Sequence, residues 1–442
     1  MPKTTLIHNA RIVNEGKPYA GWVLIDGEFI AATGKGRPSG IDADESVDAC
    51  GALLMPGAID DHVHFRDPGL THKGDMATES AVAVAGGVTS FMDMPNTVPP
   101  TVSVGAWEEK MARATEVSRA NYAFYIGATN SNMDELLAAD YSKVPGVKLF
   151  LGSSTGNMLV DSEKTLDDIF AKVQALIAVH AEDNGRIAAG MAMARDIFGE
   201  EEVPVDLHPV IRDAKACYSA ACRAVELARR HNARLHLLHV STAAEVRMLR
   251  DDRPAGVTAE TCIQYLQWCD KDYETMGTRL KCNPAVKGQS DRTALRKAVT
   301  DGTIDVIGTD HAPHLAEEKK GDALTAPSGC PNLQFSLPML LDIFKPEVVA
   351  ERTAHAPARI FGIDRRGFIR PGYYADLVLV SATPHTIDDK DSAGPCGWIP
   401  AAGMTTGHTV AVTYVNGTVA YRDGKVAGER GPVHALRFTK AE

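Results

Sequence analysis

Two histidines one residue apart, His62 and His64, close an apolar run, Leu53-Leu54-Met55-Pro56-Gly57-Ala58-Ile59, and lead directly into Phe65-Arg66-Asp67-Pro68-Gly69. Strand side chains alternate faces, so residues two apart point the same way. His62 and His64 therefore present two imidazoles to one metal ion, and Arg66 places a cation beside it. A lone His-X-His pair is more often surface or core chemistry without a metal. The weight of the reading rests on what else converges with it.

The elements that must position such a site follow from the pattern of apolar runs. Between residues 55 and 365 short apolar runs alternate with helical stretches such as 209–231 and 291–300. Eight buried strands are predicted near 58–64, 88–94, 122–128, 146–151, 176–180, 234–240, 256–261 and 304–309. Repeated strand-helix alternation predicts a parallel (β/α)8 barrel. A doubly wound open sheet is the structural alternative, but no Gly-rich dinucleotide fingerprint follows any strand. Both ends of the chain read differently, as short strands with turns. Thr5-Leu6-Ile7, Ala10-Arg11-Ile12-Val13 and Trp22-Val23-Leu24-Ile25 lie at one end; Asp376–Val380 and Thr409–Val415, the latter before an Asn416-Gly417 hairpin turn, lie at the other. The expected organisation is a small β-sandwich domain built from 1–54 plus 366–442, around a barrel spanning 55–365.

Active sites of such barrels sit at the C-terminal ends of the strands. The first predicted strand ends in His62 and His64, and the fourth carries Lys148. The fifth ends in His180-Ala181-Glu182, the sixth in His239-Val240-Ser241, and the eighth in Thr309-Asp310-His311-Ala312-Pro313-His314. Each residue alone has an ordinary structural reading, but together they converge on one rim. Imidazole and carboxylate donors suit zinc and neighbouring divalent ions. A lysine ammonium has no lone pair and cannot be a ligand. Carbon dioxide adding to the neutral amine of Lys148 would give a carbamate, an anionic oxygen donor able to bridge two metals. Two metals sharing a hydroxide would provide a nucleophile, with Asp310 placed to take and return the proton.

These residues resemble the amidohydrolase superfamily and, within it, the dihydroorotases, over nearly the whole chain. The narrower matching stretches are His64-Phe65-Arg66-Asp67-Pro68-Gly69, Asp93-Met94-Pro95-Asn96-Thr97, His239-Val240-Ser241-Thr242-Ala243, Asn283-Pro284 and Thr309–His314. The resemblance implies that His62, His64 and Asp310 hold one metal and His180 and His239 the second, with carboxylated Lys148 bridging. It implies that Arg66, Asn96 and His314 contact a substrate carboxylate and Asn283 the pyrimidine ring. The reaction implied is reversible closure of N-carbamoyl-L-aspartate to L-dihydroorotate in pyrimidine biosynthesis. A guanidinium fork suits a carboxylate. The competing readings are an Arg66–Asp67 ion pair and, for Asn96, a turn before Pro99-Pro100.

Two stretches depart from the dihydroorotase pattern. Thr261-Cys262-Ile263-Gln264-Tyr265-Leu266 stands where those enzymes commonly carry Pro-His-His-Leu, and Pro331-Asn332-Leu333-Gln334 replaces the usual Gly-Leu-Glu. Glu260-Thr261-Cys262 followed by Tyr265-Leu266 is closer to hydantoinases and allantoinases, Lys281-Cys282 before Asn283 is allantoinase-like, and these departures put the pocket lining in question. Another cyclic amidase is thus the alternative function. A non-catalytic relative would be expected to have lost ligands, and all six are present. The polar segment 315–330 reads equally as a loop closing over the substrate or as a solvated charge run.

Bulk properties bound the partners. A net charge of -11 argues against nucleic acid and membrane surfaces as partners, while an anionic small molecule needs only a local cation. No apolar run reaches the ~18 residues of a membrane span, and no signal-peptide pattern opens the chain. The eight cysteines are scattered, with no Cys-X-X-Cys, as in reduced cytoplasmic proteins. A homo-oligomer, a dimer, is expected.

Overall fold

The computed structural model describes residues 3–152 and 158–439. The central part is a parallel barrel whose first strand is Ala58–Val63, followed by Val88–Asp93 and by a third strand interrupted at Tyr125 into Asn121–Phe124 and Ile126–Gly127. Val147–Phe150, Ile177–His180, Leu235–Leu237, Val257–Cys262 and Val306–Gly308 complete it in order, each parallel to its neighbour. The ring closes where Val63 bridges His311 and the His64 amide donates to the His311 carbonyl at 2.8 Å. Each observed strand falls within or close to its predicted span.

The strands are buried on both faces, which is why they read as near-continuous apolar runs. Val147, Leu149, Ile177 and Val179 join the large core shared with the outer helices, whereas Ile59, Met92, Ala123, Tyr125 and Ala178 pack with Phe361 and Phe438 into a plug at the barrel floor. Ile59 and Val63 are four residues apart yet belong to different clusters. The pairing register shifts between Asp60 and Val63, and this bulge changes which residues face inward just before the His62/His64 pair.

The predicted helix 209–231 is broken. A short turn of helix, His208–Ile211, ends at Arg212, and Ala214–His231 restarts with Asp213 as its cap, accepting from the Ala216 amide. Asp is a strong N-cap residue, and its side chain satisfies an orphan donor here.

The two chain ends form one nine-stranded sheet, in which Leu53–Pro56 lies between Thr4–Ile12 and Leu377–Ser381. Alternation explains its two faces. Leu54, Leu377 and Leu379 enter the sheet's own core with Ile7, Ile25 and Tyr414, while Leu53, Met55, Val378 and Val380 face the barrel core. Asn416 and Gly417 have positive φ and join Thr409–Val415 to Thr418–Arg422 in the hairpin that their sequence signals. Beyond that hairpin the chain returns to the barrel, where Ala435 bridges Tyr122 and Phe438 bridges Ile363.

Candidate active site

His62, His64, Arg66, Asn96, Lys148, His180, His239, Asn283, Asp310 and His314 all line one cavity of about 400 Å³ at the C-terminal ends of the strands. Every residue singled out from the sequence is therefore brought to one place.

His62 Nε2 and His64 Nε2 lie 3.3 and 3.2 Å from the same Asp310 oxygen. The other nitrogen of each ring is already engaged. His62 Nδ1 is 3.1 Å from Glu260 Oε1 and His64 Nδ1 is 2.7 Å from Asn96 Oδ1. Those acceptors fix the N–H on Nδ1 and leave the Nε2 lone pairs facing Asp310, the arrangement a metal ligand needs. Burial pushes both imidazoles well below their ordinary pKa, so they are neutral and able to ligate.

The second pair is built the same way. His180 Nε2 is 3.0 Å from Glu182 Oε2, which directs His180 Nδ1 at His239 Nε2, 2.8 Å away. Burial opposes the Glu182 charge, but Arg212 and His180 hold its pKa down to about 2. The break in the helix at Arg212 is what brings this guanidinium to Glu182. His239 also takes a φ of 42°, and its amide donates to Glu260 Oε1 at 3.1 Å, so the sixth strand ends earlier than its apolar run.

Lys148 is buried with its Nζ 4.6 Å from the Phe150 ring centroid, and it makes no side-chain hydrogen bond among the described residues. Burial lowers its pKa to about 7, leaving a substantial share of neutral amine at neutral pH. The donor set thus fits divalent metal: two neutral imidazoles facing one carboxylate oxygen, a second pair of imidazoles in contact with each other, and in the same cavity the Lys148 amine, without a hydrogen bond among the described residues.

Arg66 is buried and has a φ of 56°. It donates through Nε to the Pro313 carbonyl at 3.2 Å, and its Nη2 sits 3.2 Å from His314 Nε2. Asp67 instead pairs with Arg113 at 3.4 Å, so the Arg66–Asp67 ion pair is not formed. The Asn96 oxygen is spent on His64 while the residue still lines the cavity. Asn283 Oδ1 is buried and has no hydrogen-bond partner among the described residues.

Several contributors were not singled out from the sequence. Glu260 holds His62, Glu182 holds His180, and Asp93 accepts from the Phe65 amide at 2.8 Å while pairing with buried Lys110 at 2.5 Å. Asking what ends the seventh strand would have raised Glu260, since it lies at the close of the predicted span 256–261. The two departing stretches meet each other outside the cavity lining. Asn332 Nδ2 donates to Gln264 Oε1 at 2.9 Å, and neither residue lines the cavity. In the segment 315–330, Lys319 is buried and its Nζ donates to the carbonyls of Lys281, Pro327 and Gly329, and Pro327, Ser328 and Gly329 line the cavity, while Glu317 and Lys320 are exposed.

A dihydroorotase from Halobacterium salinarum is 35% identical over 418 residues, covering 92% of this chain and 95% of that protein. A dihydroorotase from Bacillus subtilis is 32% identical over 445 residues, covering 95% and 99%. Among solved structures, an L-hydantoinase (dihydropyrimidinase) from Arthrobacter aurescens superposes with a TM-score of 0.93 at 27% identity, covering 99% of this chain and 100% of that one. The sequence profile of the amidohydrolase family matches residues 53–420, a span that runs from the strand feeding His62 through every residue of the cavity, and the chain belongs to that family.

Proposed function

We propose that this protein is a dihydroorotase that interconverts L-dihydroorotate and N-carbamoyl-L-aspartate. The observation that carries the reading is Arg66: a buried guanidinium in the same cavity as the ligand cluster, a cation suited to a ring carboxylate. Relatives matched over nearly their whole length at 30–35% identity bear that name, which supports it.

In this reading His62, His64 and Asp310 would hold one divalent ion and His180 and His239 a second, with Lys148, carboxylated by carbon dioxide, as a ligand they would share. Zinc is the first choice for this donor set. Bound there, the metal pair supplies Lewis acidity and activated water at neutral pH. Arg66, Asn96 and His314 bind the substrate carboxylate, and Asn283 Oδ1 accepts a ring N–H. In the hydrolytic direction water adds to the ring amide carbonyl and the ring C–N bond breaks. Asp310 takes the proton from the attacking water and delivers it to the leaving nitrogen. Ring closure reverses these steps. Among the described residues no helix is long and apolar enough to cross a membrane, and the eight cysteines are unpaired, which supports a reducing cytoplasmic setting.

The rival is a hydantoinase or allantoinase, favoured by the solved structures it resembles and by Glu260-Thr261-Cys262 with Tyr265-Leu266. Those rings lack the side carboxylate, leaving Arg66 without a purpose. Assaying dihydroorotate, dihydrouracil, hydantoin and allantoin side by side, with metal analysis of the same sample, separates the two. Dihydroorotate is expected to give the highest kcat/KM, with two divalent ions per chain; preference for a neutral ring overturns the reading. Arg66→Met is expected to lower kcat/KM for dihydroorotate by roughly 100-fold, the loss of a charge-assisted pair of about 3 kcal/mol. Lys148→Ala is expected to lose metal and activity, with partial rescue by short carboxylic acids; full activity in that variant removes the carbamate.

A further inference from the structure

Lys73 lies seven residues beyond Arg66, in the connection between the first barrel strand and the helix Met76–Ala85. Its side chain is only 15% exposed and lines the same cavity. Its Nζ is 3.1 Å from His314 Nδ1, while Arg66 Nη2 is 3.2 Å from His314 Nε2. One imidazole thus stands between two cations, each of which can only donate.

That arrangement does not satisfy itself. A neutral imidazole has one acceptor nitrogen and one N–H, so it can accept from Arg66 or from Lys73 but not from both. Protonation would worsen the conflict, and burial together with Arg66, Lys73 and Lys319 pushes the His314 pKa down to about 2. Whichever tautomer is present, one of the two cations faces an imidazole N–H rather than a lone pair, and the only other contact of the ring recorded among the described residues besides Glu318 is with the Ser328 backbone, which cannot serve the cation. Glu318 relieves this only from the outer side. Its Oε1 is 3.4 Å from Lys73 Nζ but 3.1 Å from His72 Nε2, and its Oε2 is 3.7 Å from His314 Nδ1.

We infer that Lys73 is a fourth reader of the substrate carboxylate, beside Arg66, Asn96 and His314, and that it sets specificity for acidic over neutral rings. A carboxylate has two oxygens and about four acceptor positions. One oxygen can face Arg66 and the other Lys73, while the His314 N–H donates to whichever lies nearer. The three donors that oppose one another in the free cavity then share one anion. This inference rests on the proposed function, since it needs a substrate that carries a carboxylate.

The test uses the metal-loaded full-length enzyme and the variants Lys73→Met and Lys73→Arg, with dihydroorotate and dihydrouracil as substrates. Lys73→Met is expected to raise KM for dihydroorotate at least tenfold, with kcat within threefold, bound metal unchanged and any dihydrouracil turnover unchanged. Lys73→Arg, which keeps the cation, is expected to hold KM within threefold of the wild type. An unchanged dihydroorotate KM in Lys73→Met overturns the inference and leaves the proposed function standing. Equal losses in both variants, or equal losses on both substrates, make Lys73 a structural residue and overturn it as well. A wild-type enzyme that prefers dihydrouracil overturns the proposed function and this inference together. Should Lys73→Met be insoluble, Lys73→Gln is read by the same criteria.

Discussion

Arg66, His239 and Asp310 hold φ angles of 56°, 42° and 46°, a region that non-glycine residues seldom occupy. Each costs on the order of 1–3 kcal/mol, and all three line the cavity, where such cost is tolerated for the direction it gives a side chain. Residue types were readable from the sequence, because a histidine, lysine or aspartate at a strand end already states its chemistry. Their partners were not: His62 and Glu260 are 198 residues apart, and no local pattern announces that bond. Asp310→Asn is the sharpest test at this scale. Asn tolerates positive φ and keeps the side-chain shape, so melting should shift by no more than a few degrees. Loss of the proton acceptor should cut kcat by roughly 10²–10⁴-fold; an Asn variant that still turns over near the wild-type rate would remove Asp310 as proton carrier.

At the scale of elements, apolar runs located all eight barrel strands, but the rules ending each strand lie outside it. The sixth stops at Leu237 because the His239 amide turns to Glu260, and the helix expected from 209 breaks because Asp213 caps a new start. The two departures from the dihydroorotase pattern, which sequence treats as separate, are one packed pair. Gln264 is fully buried, its amide nitrogen has no partner, and its oxygen accepts from Asn332, which also donates to the Thr309 carbonyl at 3.4 Å. Thr309 precedes Asp310, so this pair is tied to the eighth-strand rim through the Thr309 carbonyl. Gln264→Leu or Asn332→Leu alone strands a buried polar group and should cost about 1–3 kcal/mol each. The double variant should cost less than the sum by at least ~0.5 kcal/mol, measured from denaturant midpoints. Strict additivity would mean that the two sites do not support each other.

Across the whole molecule, a protein of net charge -11 is proposed to take an anion by concentrating the cations Arg66 and Lys73 in one cavity. The composite sheet was legible from the strands at both chain ends, but its coupling to the barrel was not. That coupling is covalent and polar at once. Leu53–Pro56 is a sheet strand that runs, through Gly57, straight into the strand bearing His62. Beside it Arg366 pairs with Asp376 and donates to Asn416 Oδ1 at 2.8 Å, and Asn416 Nδ2 donates to Asn121 Oδ1 of the third barrel strand at 2.8 Å. Arg366 and Asp376 are both 3% exposed, so removing the cation leaves a buried carboxylate with no counter-charge. Arg366→Met should therefore destabilise by about 3–5 kcal/mol. Adding Asp376→Asn removes the stranded charge and should recover part of that loss. Because sheet and barrel share this junction, bound metal should be released at the same denaturant concentration at which the fold is lost, in the wild type and in both variants. Metal release well before unfolding would show that the barrel rim holds its ligands independently of the sheet.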